Sequence, residues 1–420
     1  MPETTENAAA PEADAKPEEA NATPVPEQAE AAPPPKEMKS IVLTGFGGVK
    51  MLKVQQKPEA SAGDGDVLVR VKACGMSFPD LMVRQGVIDH PPKTPVIMGF
   101  ECAGVVEAVG ENVTGFQVGD RVVAFSDYKA WSELVAVPQE YVYKIGDSLP
   151  FQDAAALLMN YVVAYVIVFD QAGLREGQSI LAHSLGGGVG HAIVQLANTV
   201  PNVTIFGTAS SHKHDAIKSN GNVAHLFDHS VDYTQAIRKE SSDGVDIVLD
   251  CLCGDDTNKG IAILKPLGKY ILYGSSNIVT GETKSFFSFA KSKLQLPDNL
   301  VWWQVDKVNP LKLFDDNKVI GGFQLRRLLF RQGHHAYVSS VVSRVLDLHG
   351  QGKIKPVIDS VWAFEDVGEA MQKLCDRKNI GKVILDPNAE PRPKTTEKEA
   401  AEATENASAE EKKEPVQNGE

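Results

Sequence analysis

The spacing of apolar positions changes twice along the chain, and each change marks a boundary between parts. From residue 38 to 148, short apolar runs at 41–43, 67–71, 104–108, 121–125 and 134–137 are separated by Gly, Pro and Asp clusters. That punctuation predicts a compact, barrel-like domain of short β-strands. A long apolar run follows at 154–169, AAALLMNYVVAYVIVF. It is shorter than the roughly 18–20 residues that a bilayer crossing needs and carries Asn160 in its middle, so it predicts a buried helix wedged between two domains. From residue 179, strand candidates at 203–206, 245–249 and 270–273 alternate with helical stretches, as in a parallel sheet built from βαβ units. After residue 276 the pattern blurs until a helix near 367–375 and a strand at 382–385, which return the chain to the first domain.

The sharpest pattern lies at 178–198, QSILAHSLGGGVGHAIVQLAN. An apolar run at 180–182 leads into Gly186, Gly187, Gly188 and Gly190. Val189, Ala192, Ile193, Leu196, Ala197 and Val200 then recur at i, i+3, i+4, i+7, i+8 and i+11, one apolar helix face. Strand, glycine loop and helix form the first βα turn of a dinucleotide site. Glycine lets the backbone approach a pyrophosphate, and the helix N-terminus offers unpaired N–H groups and a partial positive charge. The first glycine of G-x-G-x-x-G is absent, since Leu185 stands two before Gly187, and Leu185 is assigned to loop packing. About twenty residues on, where an acidic residue would bind the ribose 2′-hydroxyl of NAD, the sequence runs from Gly207 to His214 as GTASSHKH. It holds no carboxylate, and hydroxyls beside a lysine suit a 2′-phosphate, so the expected cofactor is NADPH.

At 420 residues and 43% hydrophobic, the chain has room for two packed domains. Its net charge of −13 sits mostly at the ends: residues 1–37 carry nine acids against two lysines, and residues 387–420 nine acids against five bases. The body is therefore nearly neutral, which excludes nucleic acid as a partner. Both ends are Glu, Ala, Pro and Lys mixtures, expected to be disordered acidic tails. The first of them matches neither a secretory signal nor an Arg-rich transit peptide. Cys74, Cys102, Cys251, Cys253 and Cys375 lack paired spacing, so they are expected to be buried small apolar residues in a reducing, cytoplasmic setting.

The stretches VKACGMSFPDLMVRQG (71–86), GFECAGVVEAVGENV (99–113), VGDRVVAF (118–125), HSLGGGVG (183–190) and IGKVIL (380–385) resemble the medium-chain dehydrogenase/reductase superfamily, in its zinc-free quinone-oxidoreductase branch. The longer run from His183 to Lys218, with DIVLDCLCGDD and GKYILYGSSNIVTGETKSFFSFAK, is similar to the vesicle amine transport protein homologues. The resemblance implies an α/β protein: a GroES-like, β-rich catalytic domain in two portions (38–160 and 325–386) and a Rossmann domain with a doubly wound parallel sheet (161–324). It also implies NADPH binding, hydride transfer in the cleft between the domains, and a homodimer paired through the edge of the Rossmann sheet at 269–273 or its immediate neighbour. The cofactor set is Ser184, Gly187, Gly188, Val189, Gly190, Ser210, Lys213 and Gly274, with the family's phosphate-binding lysine aligning nearer His214 than Lys213.

Zinc members of that superfamily need a Cys, His, Glu and Cys set. Here Ser77 and Phe100 stand for the first two ligands and only Glu101 is kept, so no metal is expected. Related quinone reductases place Asn and Tyr near the nicotinamide, where this chain has Ser77 and Met82. The catalytic candidates are Ser77, as a hydrogen-bond donor, and Asp80, as acid or base, although the i, i+4 spacing of Asp80 to Arg84 reads first as a helical ion pair. His183, His191 and the cluster at 212–214 lack partners at metal spacing and are given packing roles. An extra segment near 292–301, SKLQLPDNLV, is expected to be a surface loop at the substrate mouth. Two function classes follow. One is an NADPH-dependent oxidoreductase for quinones or conjugated carbonyls. The other is a weakly active or non-catalytic NADPH-binding adaptor held peripherally at vesicle or mitochondrial membranes.

Overall fold

The computed structural model describes residues 36–88, 90–277 and 308–393. Most of both acidic ends and the whole 292–301 segment lie outside the described residues. The first half of the chain lays down β1 (Glu37–Leu43), β2 (Leu52–Pro58), β3 (Asp66–Met76), β4 (Val96–Ile97), β5 (Glu101–Val109), β6 (Arg121–Phe125), β7 (Leu134–Pro138) and β8 (Val142–Lys144). The middle adds β9 (Ser179–Ala182), β10 (Thr204–Thr208), β11 (His225–Phe227), β12 (Val245–Asp250), β13 (Leu264–Leu272) and β14 (Val319–Gly322). The chain closes with β15 (Ile358–Ala363) and β16 (Lys382–Asp386).

β3 is the hub of the first sheet, where β5, β7 and β16 all pair with it antiparallel, giving the order β15-β16-β3-β5-β6-β8 with β7 alongside. Eight of the eleven β3 residues are buried, Ala73 in the core that holds the 151–165 helix and Val67, Val69 and Val71 in the core of the barrel. The register Val383↔Met76 carries the end of the chain back beside residue 77. That pairing across some three hundred residues builds the polar site described below.

β9 to β14 form a parallel sheet in the order β11-β10-β9-β12-β13-β14, the doubly wound order whose switch point lies between β9 and β12. All four residues of β9 are buried, as expected of a strand covered by helices on both faces. The 203–206 candidate is β10, shifted to Thr204–Thr208, and the 270–273 candidate is the end of the longer β13. β13 is not the edge, since β14 pairs outside it.

The apolar run at 154–169 is part of a longer helix than its pattern predicts. α2 (Phe151–Tyr165) continues without a break into six π-helical residues, so the helix runs from Phe151 to Gln171. By length and composition those 21 residues could cross a bilayer, which corrects the length argument made from sequence. The burial argument stands, because 67% of the apolar window is covered by the protein. Ala154, Ala155, Leu157, Leu158, Tyr161 and Val162 pack in one core with Ala73 and Ala103 of the first sheet and Ile180 and Ile193 of the second unit.

Candidate active site between a glycine loop and a buried lysine

β9 delivers the chain to its C-terminal edge, where Ser184 takes a left-handed conformation (φ +57°) and Leu185 turns inward, fully buried. Leu185 N donates to Thr208 O at 3.0 Å, and its side chain fills the space that a Cβ on Gly207 would take. Leu185 therefore packs the loop. Three of the four glycines answer to the protein itself. A Cβ on Gly190 would stand 2.5 Å from Leu185 Cα, one on Gly186 would stand 2.5 Å from Lys213 Cδ, and one on Gly188 would run into the Asn160 amide. Gly187 is different. It is the N-cap of α3 (Gly188–Ala197), has an ordinary φ of −84°, and an added Cβ would meet nothing nearer than Ser184 O at 3.5 Å. The space in front of Gly187 is thus left open at a helix N-terminus, where first-turn N–H groups have no partner in their own helix. Val189 follows in that turn, half-buried against the core. Gly274 lies past the end of β13, tight against Cys251, where a Cβ would come within 3.1 Å of the cysteine Cβ.

Along the C-terminal edge of β10, Ser210 caps a short 3₁₀ turn, Ser211–Lys213. Lys213 does not extend into solvent. Its Nζ donates to Arg377 O at 2.6 Å and Asn379 O at 2.7 Å, and burial lowers its pKa. Gly381 N donates to Gly186 O at 3.0 Å, so the 377–381 segment is bonded both to the glycine loop and to Lys213. Sequence reasoning missed one group here. Asp228 lies just past β11, and the parallel pairing Thr208↔Phe227 brings it level with Ser211. It accepts from Ser211 N (2.8 Å), Ser211 Oγ (2.6 Å), Ser230 N (3.0 Å) and Ser230 Oγ (2.7 Å), and these donors hold its carboxyl far below the usual range. The second strand carries no carboxylate of its own, but the third supplies one.

A second polar cluster centres on Lys382, which the sequence reading did not single out. Lys382 Nζ donates to Ser77 Oγ at 2.6 Å and to Glu101 Oε1, and both its side chain and that of Glu101 are almost wholly buried. Ser77 Oγ donates to Glu101 Oε1 at 3.1 Å, and Met159 N donates to Glu101 Oε2 at 2.9 Å. Gly75 has no Cβ because Glu101 occupies that space. A lone lysine in the apolar strand KVILD was the available signal, since a buried ammonium needs a carboxylate partner. At the positions of the first two zinc ligands stand a hydroxyl and a phenyl ring, and the Lys382 ammonium bonds Glu101 and the hydroxyl, a set that does not fit a zinc ion. Phe100 packs on Tyr128 with ring centroids 5.0 Å apart, and the Arg326 guanidinium lies over both rings. Among the described residues, no three His, Cys, Asp or Glu side chains are grouped to hold a metal.

Asp80 does not make the helical ion pair that its spacing to Arg84 implied. In α1 (Phe78–Gln85) it turns back to accept from Ser77 N at 2.8 Å, as the acidic partner of a capping box, while Arg84 reaches the Gly47 carbonyl and Cys375 Sγ. Asp80 is fully buried with Oδ1 unpartnered, and burial raises its pKa to about 8. Met82, on the same helix, is half-buried packing against the barrel core. His183 Nδ1 lies 2.9 Å from Asp250 Oδ1, and His191 is buried with neither ring nitrogen bonded, which lowers its pKa to about 4. Cys251 and Cys375 are half-buried rather than buried, which corrects the expectation for two of the five thiols.

Residues 63–147 match the alcohol dehydrogenase GroES-like domain, and residues 226–385 match the zinc-binding dehydrogenase domain. Human synaptic vesicle membrane protein VAT-1 homolog-like is 58% identical over 358 residues, 85% of this chain and 83% of that protein. A crystal structure of that human protein aligns with a TM-score of 0.73 at 51% identity, over 84% of this chain and 99% of the other. A mycobacterial protein solved in complex with NADPH aligns at 0.71 with 25% identity, over 83% of this chain and all of that one. A quinone oxidoreductase from Pseudomonas syringae pv. Tomato aligns at 0.71 with 26% identity and the same coverage.

Proposed function

The chain belongs to the family of VAT-1 homologues within the medium-chain dehydrogenase/reductase superfamily, and on that premise we propose that it is an NADPH-dependent oxidoreductase reducing quinones or similar conjugated carbonyls without zinc. The observation that carries this reading is the open space at Gly187, at a helix N-terminus and flanked by the buried Ser77–Lys382–Glu101 cluster. Two links fix how near these are. Met159 bonds Glu101 while its neighbour Asn160 packs on Gly188, and Gly381 bonds the glycine loop while its neighbour Lys382 bonds Ser77. In this reading a pyrophosphate at Gly187 would leave the rest of the dinucleotide to run toward Ser77. When bound, the cofactor supplies the hydride.

The likeness to an NADPH-bound structure supports the choice of cofactor, and so do two features of the β10 edge. Asp228 accepts four hydrogen bonds, about as many as a carboxylate has lone-pair positions, so it is committed to its own loop and not to a ribose hydroxyl. Lys213 has one N–H beyond its two carbonyls, and its stem crosses Gly186. Ser210 and that remaining N–H are the proposed 2′-phosphate donors. The remaining residues named from sequence, Ser184, Gly188, Val189, Gly190 and Gly274, line the pyrophosphate and nicotinamide ends. The proposed two-portion catalytic domain and central Rossmann domain rest on the two sheets. Elemental analysis checks the metal: one firmly held zinc per chain would overturn the zinc-free reading.

The deciding experiment measures NADPH oxidation across a quinone panel together with cofactor affinity. Slow turnover is expected, since Ser77 and Met82 replace the Asn and Tyr of active relatives. Tight NADPH binding with no turnover on any quinone would replace this reading with the adaptor peripheral to vesicle membranes, the setting named for the human relative.

A further inference from the structure

We propose that the Ser77 hydroxyl is the group that protonates the substrate oxygen, with Lys382 behind it as the positioning residue that resupplies the proton. The proposal deepens the reading of this cleft as a site of carbonyl reduction and rests on it. Three observations lead to it. Lys382 Nζ stands 2.6 Å from Ser77 Oγ, so the hydroxyl has a charged donor at its back. Glu101 holds that ammonium from one side and is itself fixed by the Met159 backbone, so the lysine cannot swing away. Ser77 is the least covered of the three side chains, standing at the N-cap of α1 while Lys382 and Glu101 are enclosed. The hydroxyl is thus the member of the cluster nearest to solvent.

Hydride addition to a quinone or an enone moves two electrons onto the conjugated system and leaves negative charge on its oxygen. The Ser77 O–H bond breaks as the new substrate O–H bond forms, and a Lys382 N–H bond breaks as Ser77 regains its proton. Lys382 is left as a neutral amine beside Glu101 and recovers its proton from water. Before transfer, the hydroxyl turns its O–H from Glu101 Oε1 to the developing oxyanion while still accepting from Lys382 Nζ, the kind of contact whose loss lowers turnover by about 10²–10³-fold.

The first test needs no cofactor. 4-Nitrophenol is a phenol whose anion mimics the developing oxyanion and whose ionised form is coloured. Wild-type protein should bind it as the phenolate and lower its apparent pKa, with Ser77→Ala weakening binding at least tenfold. Lys382→Met should weaken it similarly, and Lys382→Arg should restore most of it. Because Lys382→Met leaves Glu101 buried without its partner, it is paired with Lys382→Met/Glu101→Gln, which removes both charges and must still bind poorly. The second test is the pH profile of quinone turnover. Asp80 on α1, Glu101 on β5, Arg326 of the Leu325–Phe330 helix and Lys382 on β16 all face the hydroxyl or its neighbours, so profiles are compared between variants, not read alone. Loss of the alkaline limb is expected in Lys382→Met and also in Lys382→Arg, whose guanidinium keeps its protons across the measurable range, so arginine should restore nitrophenolate binding without restoring proton supply. Ser77→Ala that binds nitrophenolate and turns over quinone as wild type would overturn the proposal, as would a wild type that binds no nitrophenolate. Nitrophenolate held by Ser77 in a protein that reduces no quinone would instead sink the oxidoreductase reading and leave the oxyanion site standing.

Discussion

Gly187→Ala separates cofactor binding from folding, because the structure gives this glycine no internal reason to lack a side chain. Its φ is ordinary and the nearest atom to an added Cβ is Ser184 O at 3.5 Å, a normal contact distance. The folding cost is then the poorer N-cap, up to about 1 kcal/mol, a few degrees of Tm for a domain of this size. A pyrophosphate seated on the first turn of α3 would be pushed away by the new methyl. Losing one charge-assisted hydrogen bond costs about 1.5–3 kcal/mol, a factor of roughly 10–150 in Kd. Gly190→Ala should behave in the opposite way, since its Cβ would lie 2.5 Å from the Leu185 Cα and Ser184 O, both backbone atoms that cannot rotate aside. Overpacking of that kind costs about 1–3 kcal/mol or more. Thermal melts of cofactor-free protein and NADPH titration by fluorescence read the two effects apart. Gly187→Ala with wild-type NADPH affinity would refute the placement of the pyrophosphate, and Gly187→Ala melting as low as Gly190→Ala would show that the space is not open.

The ionisable groups make a pH prediction. Burial raises Asp80 from its ordinary 3.8 to about 8, so its contribution to stability is present at acid pH and is lost as pH rises toward 8. Wild type should lose up to about 2.7 kcal/mol more than Asp80→Asn between pH 5 and 7, measured by urea unfolding, and parallel pH curves would contradict this. Native protein should prefer NADPH to NADH in calorimetry, and Ser210→Asp should shrink the preference by repelling the phosphate; equal affinities in the wild type would reject the assignment. Removing Glu101 alone should cost several kcal/mol, whereas Glu101→Gln with Lys382→Met should cost much less than the two single changes together, because either single change leaves a buried charge unpaired. Additive losses would mean that the pair is hydrated. The proposed homodimer should form through β14, the outer strand of the Rossmann sheet, beside exposed Leu311 and Phe314; light scattering that gives only monomer mass at micromolar protein would exclude it.

The parts of the fold carried by local pattern were readable from the chain. The βα unit at 178–198 announces itself because a strand, a glycine loop and a 3.6-residue apolar face are adjacent in sequence, and Leu185 is buried in that loop as assigned. The helix at 151–171 was recognised but cut short at both ends, since the polar residues Gln152, Asp153, Asp170 and Gln171 lie outside the apolar run that was read. Asp80 and Arg84 show the opposite failure. Their spacing was read correctly as helical, but the N-cap amide competed for the carboxylate and won, because a buried acid gains more from a fixed backbone donor than from a long side chain with its own carbonyl partner.

The site itself depends on contacts that no local pattern contains. Asp228 reaches Ser211 only because β10 and β11 run parallel, and Lys382 reaches Ser77 only because β16 comes back antiparallel to β3. Comparing ligand positions one at a time pointed to a hydroxyl at 77 and a phenyl ring at 100 where zinc members of the superfamily have a thiolate and an imidazole, and left Glu101 without a stated partner. The structure supplies it. Where a zinc ion would balance that carboxylate, an ammonium from the far end of the chain does so, and the hydroxyl at 77 becomes its hydrogen-bonded neighbour. A buried carboxylate without a cation would cost several kcal/mol, so keeping Glu101 while dropping the metal ligands requires a replacement positive charge within bonding distance. Lys382 meets that requirement, and on the zinc-free reading proposed above it differs from zinc in one respect that matters for chemistry: an ammonium can give up a proton, so the proposed exchange of a Lewis acid for an ammonium would supply an acid of another kind.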